Sequence, residues 1–275
     1  MPIDNQLRKR IRNDLLQLVD NTLTDKSAGP KIKGLLEDTG ISIDELRREV
    51  LAYTLAKGLD EYKNEQYRKI VAKITLHFHN LVKGTYHQKR HGLVLSFLNK
   101  VRPKHLMDIG YGVPGPYLIP YLQSNQEATA TLADQDPSAE EVARKIISNE
   151  APELLRRVKF AVYNMDTQEY PGDADVYLFL DSIEHTKNPT EYLKMIVKKS
   201  RAGTYFIFSI PICKMRDLEG FHYDEWLNDE DARKWLRNAG LKIVEEGLAF
   251  PNPAVDYFAE LTEGGYHNIL ILAQS

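Results

Sequence analysis

The spacing of apolar residues changes character near residue 100. Ahead of it they recur every three or four positions: Leu7, Ile11, Leu15, Leu18 and Val19 mark one stripe, and Leu46, Val50, Leu51 and Leu55 another. That is the period of amphipathic helices. Ser42 and Glu45 form a capping-box pair in front of the second stripe. Tyr67, Ile70, Val71, Ile74, Phe78 and Leu81 predict a third helix over 61–82, stopped at Gly84, and a fourth near 90–100 ends before Pro103. Beyond 105, short apolar runs alternate with helical stretches. Strands are expected at 105–110, 130–134, 158–164, 175–181, 204–211, 241–250 and 267–274. Between them lie a helix over 137–149, opened by the capping box Ser138 to Glu141, and one over 231–241, ended by Gly240. Alternating strands and helices are the mark of a parallel sheet. The fold class is α/β: a Rossmann-like, seven-stranded, mostly parallel sheet with helices on both faces and an antiparallel last strand pair. An all-α region precedes it, which divides the chain into 1–100 and 101–275.

Composition narrows the setting. The 275 residues are 43% hydrophobic and 27% charged, as in a soluble globular protein. No apolar run nears the roughly 18 residues of a membrane span, and the polar start "MPIDNQLRKRIRND" predicts a cytoplasmic chain without membrane association. The single Cys213 excludes an intrachain disulfide or a Cys-rich metal knot and reads as a core residue. The net charge of −3 conceals an asymmetry, since residues 1–100 carry 18 basic against 12 acidic residues and 101–275 carry 18 against 27. The basic residues are scattered, and the pI is near 6.3. Both facts argue against a nucleic-acid partner.

The chemistry-bearing residues cluster at strand ends, where open parallel sheets bind ligands. The first strand runs into Asp108, and the turn after it carries Gly110, Gly112 and Gly115. Glycines there admit positive φ and close backbone approach by a ligand; a Gly-x-Gly also serves as a plain tight turn. The second strand ends at Asp134 and Gln135, where a carboxylate can accept both hydroxyls of a ribose. The third ends in Met165, able to pack on an adenine face, and Asp166, able to accept from its exocyclic amine. The fourth ends "DSIEH", gathering Asp181, Glu184 and His185. Oxygen ligands with imidazole suit a divalent cation such as Mg²⁺ or Mn²⁺.

With these residues in place, 101–275 resembles the class I S-adenosylmethionine-dependent methyltransferases: "DIGYG" is similar to their first motif, Asp134 to the ribose-binding acid, Asp166 to the adenine-contacting acid, and "ADVYLFLDSIEHTKNP" to the fourth motif. One departure is that Val113 and Pro114 delay the third glycine to Gly115. Two groups resemble the "DSIEH" stretch. The ubiquinone-biosynthesis O-methyltransferases have a comparable Glu-His and Pro. The metal-dependent small-RNA 2′-O-methyltransferases have acid-x-x-Glu-His and a later His-x-x-Glu-Trp, matched by His222, Glu225 and Trp226. The second resemblance implies a metal held by Asp181, Glu184, His185 and His222, with Asp181 replacing a longer Glu.

The family resemblance implies S-adenosylmethionine as cofactor and in-line methyl transfer to the oxygen or nitrogen of a small-molecule acceptor. His185, Asp181, Glu184 and His222 are the candidate catalytic groups. It also implies that the chain ahead of the first motif folds over the cofactor, so that Tyr86, His87, Arg90 and His91 meet substrate or the methionine carboxylate. Arg90 is the carboxylate partner by its bidentate geometry. Residues 1–100 then form a lid or a homodimer contact. Tyr117, Phe221, Tyr223 and Trp226 are candidates for an aromatic acceptor pocket, and 250–267 for an irregular substrate or oligomer contact. The alternatives are a metal-dependent RNA 2′-O-methyltransferase, a cyclase or lyase that consumes S-adenosylmethionine, and a catalytically silent scaffold.

Overall fold

The computed structural model describes residues 85–112, 114–167, 169–215, 226–250 and 262–275, with the isolated positions Thr24, Pro30 and Lys33. The three helices expected before residue 84, together with His222, Glu225, Phe221 and Tyr223, lie outside the described residues. From residue 85 the elements are α1 (Thr85–Val101), β1 (His105–Ile109), α2 (Leu118–Ser124), β2 (Thr129–Asp134), α3 (Ser138–Glu150), β3 (Val158–Val162), β4 (Val176–Leu180), α4 (Pro189–Lys199), β5 (Tyr205–Met215), α5 (Asp229–Asn238), β6 (Lys242–Ala249) and β7 (Thr262–Gln274). All seven expected strands are present. They form one sheet in the order β3-β2-β1-β4-β5-β7-β6. The pairs among β1 to β5 are parallel, and β7 is antiparallel to both β5 and β6. The chain reverses its direction of travel across the sheet between β1 and β4, which opens a crevice at their carboxyl ends.

Two cores sandwich the sheet, because successive side chains on a strand point to opposite faces. Leu106, Leu132, Leu178, Ile207, Leu270 and Leu272 face α1, α2 and α3 through Val94, Phe97, Leu98, Tyr121, Leu122 and Ile147. Met107, Ile109, Tyr177, Phe179, Phe206, Phe208 and Ile271 face α4 and α5 through Tyr192, Leu193, Ile196, Trp235 and Leu236. On that second side the rings of Tyr177 and Phe206 stack at 5.4 Å, and those of Phe179 and Phe208 at 5.5 Å, each pair adding about 0.5–1.5 kcal/mol beyond its burial. Helix α1 belongs to the first core, so the α/β unit starts ahead of residue 101. It also begins at residue 85 and not near 90.

Other boundaries moved for identifiable reasons. Pro137 stands at the N-cap of α3, which places Ser138 at the first helical position, and the side chain of the expected capping box lies outside the described residues. Gly240 takes φ +92° after α5, and the Leu241 amide returns to the Leu236 carbonyl at 3.2 Å, the αL stop expected of it. β7 starts at Thr262, so part of the supposedly irregular 250–267 is strand. Cys213 is buried, and among the described residues no helix is long and apolar enough to cross a membrane.

Candidate active site

The carboxyl end of β1 opens into the glycine turn, and the three glycines there have different causes. Gly110 takes φ +72°, and a Cβ on it would lie 2.6 Å from the Ser182 Cβ. A Cβ on Gly115 would run into the Tyr117 ring and lie 3.1 Å from the His91 ring. Neighbouring protein atoms therefore require both of these glycines. Gly112, at φ +50°, has nothing within 4 Å of a Cβ position and faces open space. Its N–H donates to Asp134 Oδ2 at 2.7 Å, and the Asp136 N–H donates to Oδ1 at 2.9 Å. The backbone thus fixes the β2 carboxylate beside the turn. Burial raises the Asp134 pKa, and these amides oppose the rise. Gln135 is exposed.

Past β3, Asp166 is exposed, and its Oδ1 accepts from Thr186 Oγ1 at 2.6 Å and the Lys187 N–H at 2.8 Å. With Met165 it lines a cavity of about 420 Å³ that extends to Thr186, Tyr192, Met195 and Lys199. That volume lies within the ordinary range of small-ligand pockets.

The end of β4 is built differently. Asp181 has φ +53°, a left-handed backbone that a non-glycine residue adopts only when its surroundings hold it there. Its Oδ1 accepts from Ser209 Oγ at 2.6 Å and from the Asn268 side-chain amide, while Oδ2 is ion-paired with Arg90 of α1. Asp108 is buried and accepts from the Tyr117 hydroxyl, and its Oδ1 is enclosed without a partner among the described residues. Glu184, 1% exposed, has an Oε2 without a partner among the described residues, and its Oε1 lies 4.0 Å from His185 Nε2. Burial pushes Asp108 up to about 7 and Glu184 up to about 8, against the lowering field of Arg90 on both. Among the described residues one guanidinium therefore faces three acids. Enclosed acids with spare acceptor oxygens, facing a single guanidinium among the described residues, favour a cationic ligand, whose charge would stabilise their ionised form.

A methyltransferase-domain family model matches residues 84–246, more than half of the chain. The chain belongs to the methyltransferase-domain family. None of the curated proteins matches it in sequence. Among solved structures, the N-methyltransferase NodS from Bradyrhizobium japonicum WM9, determined with S-adenosylhomocysteine, superposes at TM-score 0.52 and 15% identity over 71% of this chain and 90% of that one. The 4+2 cyclase SpnF gives 0.54 and 15% over 70% and 83%. The 1,6-didemethyltoxoflavin-N1-methyltransferase of Burkholderia thailandensis gives 0.50 and 16% over 77% and 89%. At such identities the likeness is one of fold, and the fold is that of the class I S-adenosylmethionine-dependent methyltransferases.

The residues of this methyltransferase fit such a cofactor at its turn: open space over Gly112, a backbone-anchored Asp134, and an enclosed, unpartnered oxygen on Asp108. They do not fit a metal in the way the small-RNA resemblance implied. All three donors to Asp181 come from protein, Glu184 is sealed beneath the surface, and among the described residues no cluster of three His, Cys, Asp or Glu side chains can hold an ion. His222, the fourth expected ligand, lies outside the described residues. Two aromatic candidates are not pocket walls, since Tyr117 is buried against Asp108 and His91, and Trp226 is buried 4.8 Å from the Trp235 ring. His91 is buried beside Arg90, and Tyr86 and His87 belong to the first turn of α1. Sequence reasoning missed Ser209 and Asn268, although a lone polar residue inside an apolar strand such as "YFIFSIPI" or "HNILILAQ" is the signal that marks them.

Proposed function

We propose that this methyltransferase transfers a methyl group to an oxygen or nitrogen of a small-molecule acceptor. The observation that carries the reading is the row of acids at the carboxyl ends of β1, β2 and β4, with the open turn at Gly112 between them. S-adenosylmethionine, when bound, supplies an electrophilic methyl on a cationic sulfonium. Asp134 then receives the ribose hydroxyls, presented by two backbone amides that keep its carboxylate in place. Met165 and Asp166 bound the base through the cavity beside α4. At the methionine end, Asp108 and Asp181 supply negative charge and Arg90 the positive charge that meets a carboxylate.

Methyl transfer asks for orientation more than covalent help. His185, one third exposed at the mouth of this end and backed by Glu184, is the base that takes a proton from the acceptor. Aromatic and heteroaromatic acceptors fit the company of fold neighbours such as the toxoflavin-precursor N1-methyltransferase.

Calorimetry with S-adenosylmethionine and S-adenosylhomocysteine tests the cofactor, and mass analysis of reactions with candidate hydroxyl and amine acceptors tests the transfer. Loss of the two charge-assisted bonds in Asp134→Ala is expected to weaken the cofactor by at least about 100-fold, as roughly 1.5–3 kcal/mol attaches to each such bond. Equal binding by that variant sinks the cofactor assignment. Methylthioadenosine appearing in place of S-adenosylhomocysteine replaces methyl transfer with a lyase reaction.

A further inference from the structure

We infer that Ser209 and Asn268 are positioning residues for the cofactor's methionine end, acting through Asp181 without touching the cofactor themselves. Both are completely buried and polar, on strands whose other core residues, such as Ile207, Leu270 and Leu272, are apolar. Ser209 on β5 stands opposite Leu270, and Asn268 on β7 opposite Pro211. Strand alternation puts both on the α1 face of the sheet, with Ile207, Leu270 and Leu272. There the Asn268 amide donates to Ser209 Oγ at 2.8 Å and also to Asp181 Oδ1, the oxygen that Ser209 Oγ contacts at 2.6 Å.

The chain of bonds crosses three strands and one helix: Asn268 to Ser209 to Asp181 to Arg90. Its purpose is legible in the backbone of Asp181. A left-handed non-glycine residue costs on the order of 1–3 kcal/mol and persists where side chains over-determine it. The Asp181 N–H is also tied to the Ser209 carbonyl at 3.0 Å. With Oδ1 held from inside the sheet, Oδ2 has one fixed direction, and Arg90 follows it. Asp181 keeps about a quarter of its side chain exposed toward the crevice, while the residues that steer it have none. A polar pair placed only for packing would be replaceable by two aliphatic residues without consequence for the crevice.

This inference rests on the reading that Asp181 and Arg90 flank the methionine end. The test compares wild type, Asn268→Ala, Asp181→Asn and the double variant by calorimetry with S-adenosylhomocysteine and by thermal melting. Asn268→Ala is expected to raise Kd about tenfold, Asp181→Asn more, and the double variant no more than twofold beyond Asp181→Asn. Ser209→Ala, which removes one oxygen, shows the same pattern if Asn268→Ala folds poorly, and Ser209→Thr, which keeps the hydroxyl, restores affinity. The inference is overturned if Asn268→Ala and Ser209→Ala lower Tm yet bind within twofold of wild type, or if the two losses multiply in the double variant. Wild-type affinity in Asp181→Asn overturns it too, by removing its premise. No binding by the wild type refutes the functional reading itself.

Discussion

The two ends of the crevice hold their acids by opposite means. At the β2–β3 end, Asp134 accepts from the neighbouring Asp136 amide and from the Gly112 amide of the β1 turn, Asp166 accepts from the Lys187 amide and the Thr186 hydroxyl ahead of α4, and both acids remain partly open to solvent. At the β1–β4 end, Asp181 is answered by side chains of β5, β7 and α1 and Asp108 by the Tyr117 hydroxyl ahead of α2, and Asp108 and Glu184 retain enclosed oxygens without partners among the described residues. Amides held by turns give an acid a fixed, inexpensive setting suited to neutral hydroxyl or amine donors. Buried acids around one guanidinium give a setting of unbalanced charge suited to a cation.

Removing the Arg90 cation is the harshest way to break that contrast. Arg90→Met leaves three acids crowded without a counter-charge, and truncating one partner of a buried pair costs about 3–5 kcal/mol. Urea melts at neutral pH are expected to show a loss of that size, and adding Glu184→Gln to remove one of the acids is expected to restore part of it. A loss under 1 kcal/mol would mean that the β1–β4 end is no more charge-dependent than the surface.

The glycines offer the next largest effect. Gly110→Ala combines an unfavourable positive φ with a Cβ at 2.6 Å from Ser182, and left-handed strain plus overpacking comes to about 2–4 kcal/mol. Gly112→Ala meets only the strain, about 1 kcal/mol, and its cost is expected to show in cofactor affinity more than in melting. Equal destabilisation by both would remove the distinction between a glycine required by protein and one that faces the crevice.

The two ends also differ in how far they can be read from sequence. Asp134, Gly112 and Asp166 are legible because they stand at strand ends and in a turn, which local apolar runs and glycines mark, even though the Gly112 and Lys187 amides that reach the two acids come from other loops. The seven strands are legible for a similar reason, since their apolar runs alternate with helical periods. What surrounds Asp181 is not, because Arg90, Ser209 and Asn268 come from α1, β5 and β7, and only the closed sheet brings them within reach. The same non-locality separates the described residues from the metal and aromatic expectations. Spacing cannot show that Asp181 is already occupied by protein donors, or that Tyr117 and Trp226 turn inward.

Titration sharpens the contrast further. Glu184 and Asp108 are raised in the folded state, to about 8 and about 7. Below about pH 4 both states hold these protons and their stabilising contribution is complete. As pH rises from there toward 8, the unfolded chain releases protons that the folded chain retains, so stability falls. Denaturation at pH 5, 6, 7 and 8 is expected to show this decline, and Glu184→Gln to flatten it and to gain on the order of 1–2 kcal/mol at pH 8. A cationic cofactor favours the ionised acids, so its affinity is expected to increase as pH rises through about 7. An affinity that is flat across that range would separate the cation from Asp108.

The smallest effect concerns the other end, where Asp166→Asn changes almost nothing that holds the fold. Both bonds to Asp166 fall on Oδ1, which an asparagine carbonyl reproduces for Thr186 Oγ1 and the Lys187 N–H. The lost charge is exposed, so its effect on stability is expected to stay within about 0.5 kcal/mol. Only Oδ2 changes character, from an acceptor to an amide that donates. If the exocyclic amine of adenine meets that atom, donor then faces donor, and one neutral bond lost without replacement is about 1 kcal/mol, or roughly five- to tenfold in Kd. Melting that does not move while S-adenosylhomocysteine binding weakens by that factor assigns the cavity beside α4 to the base. Unchanged binding places the base elsewhere and leaves Asp166 as the acid that ties the β3 loop to the start of α4.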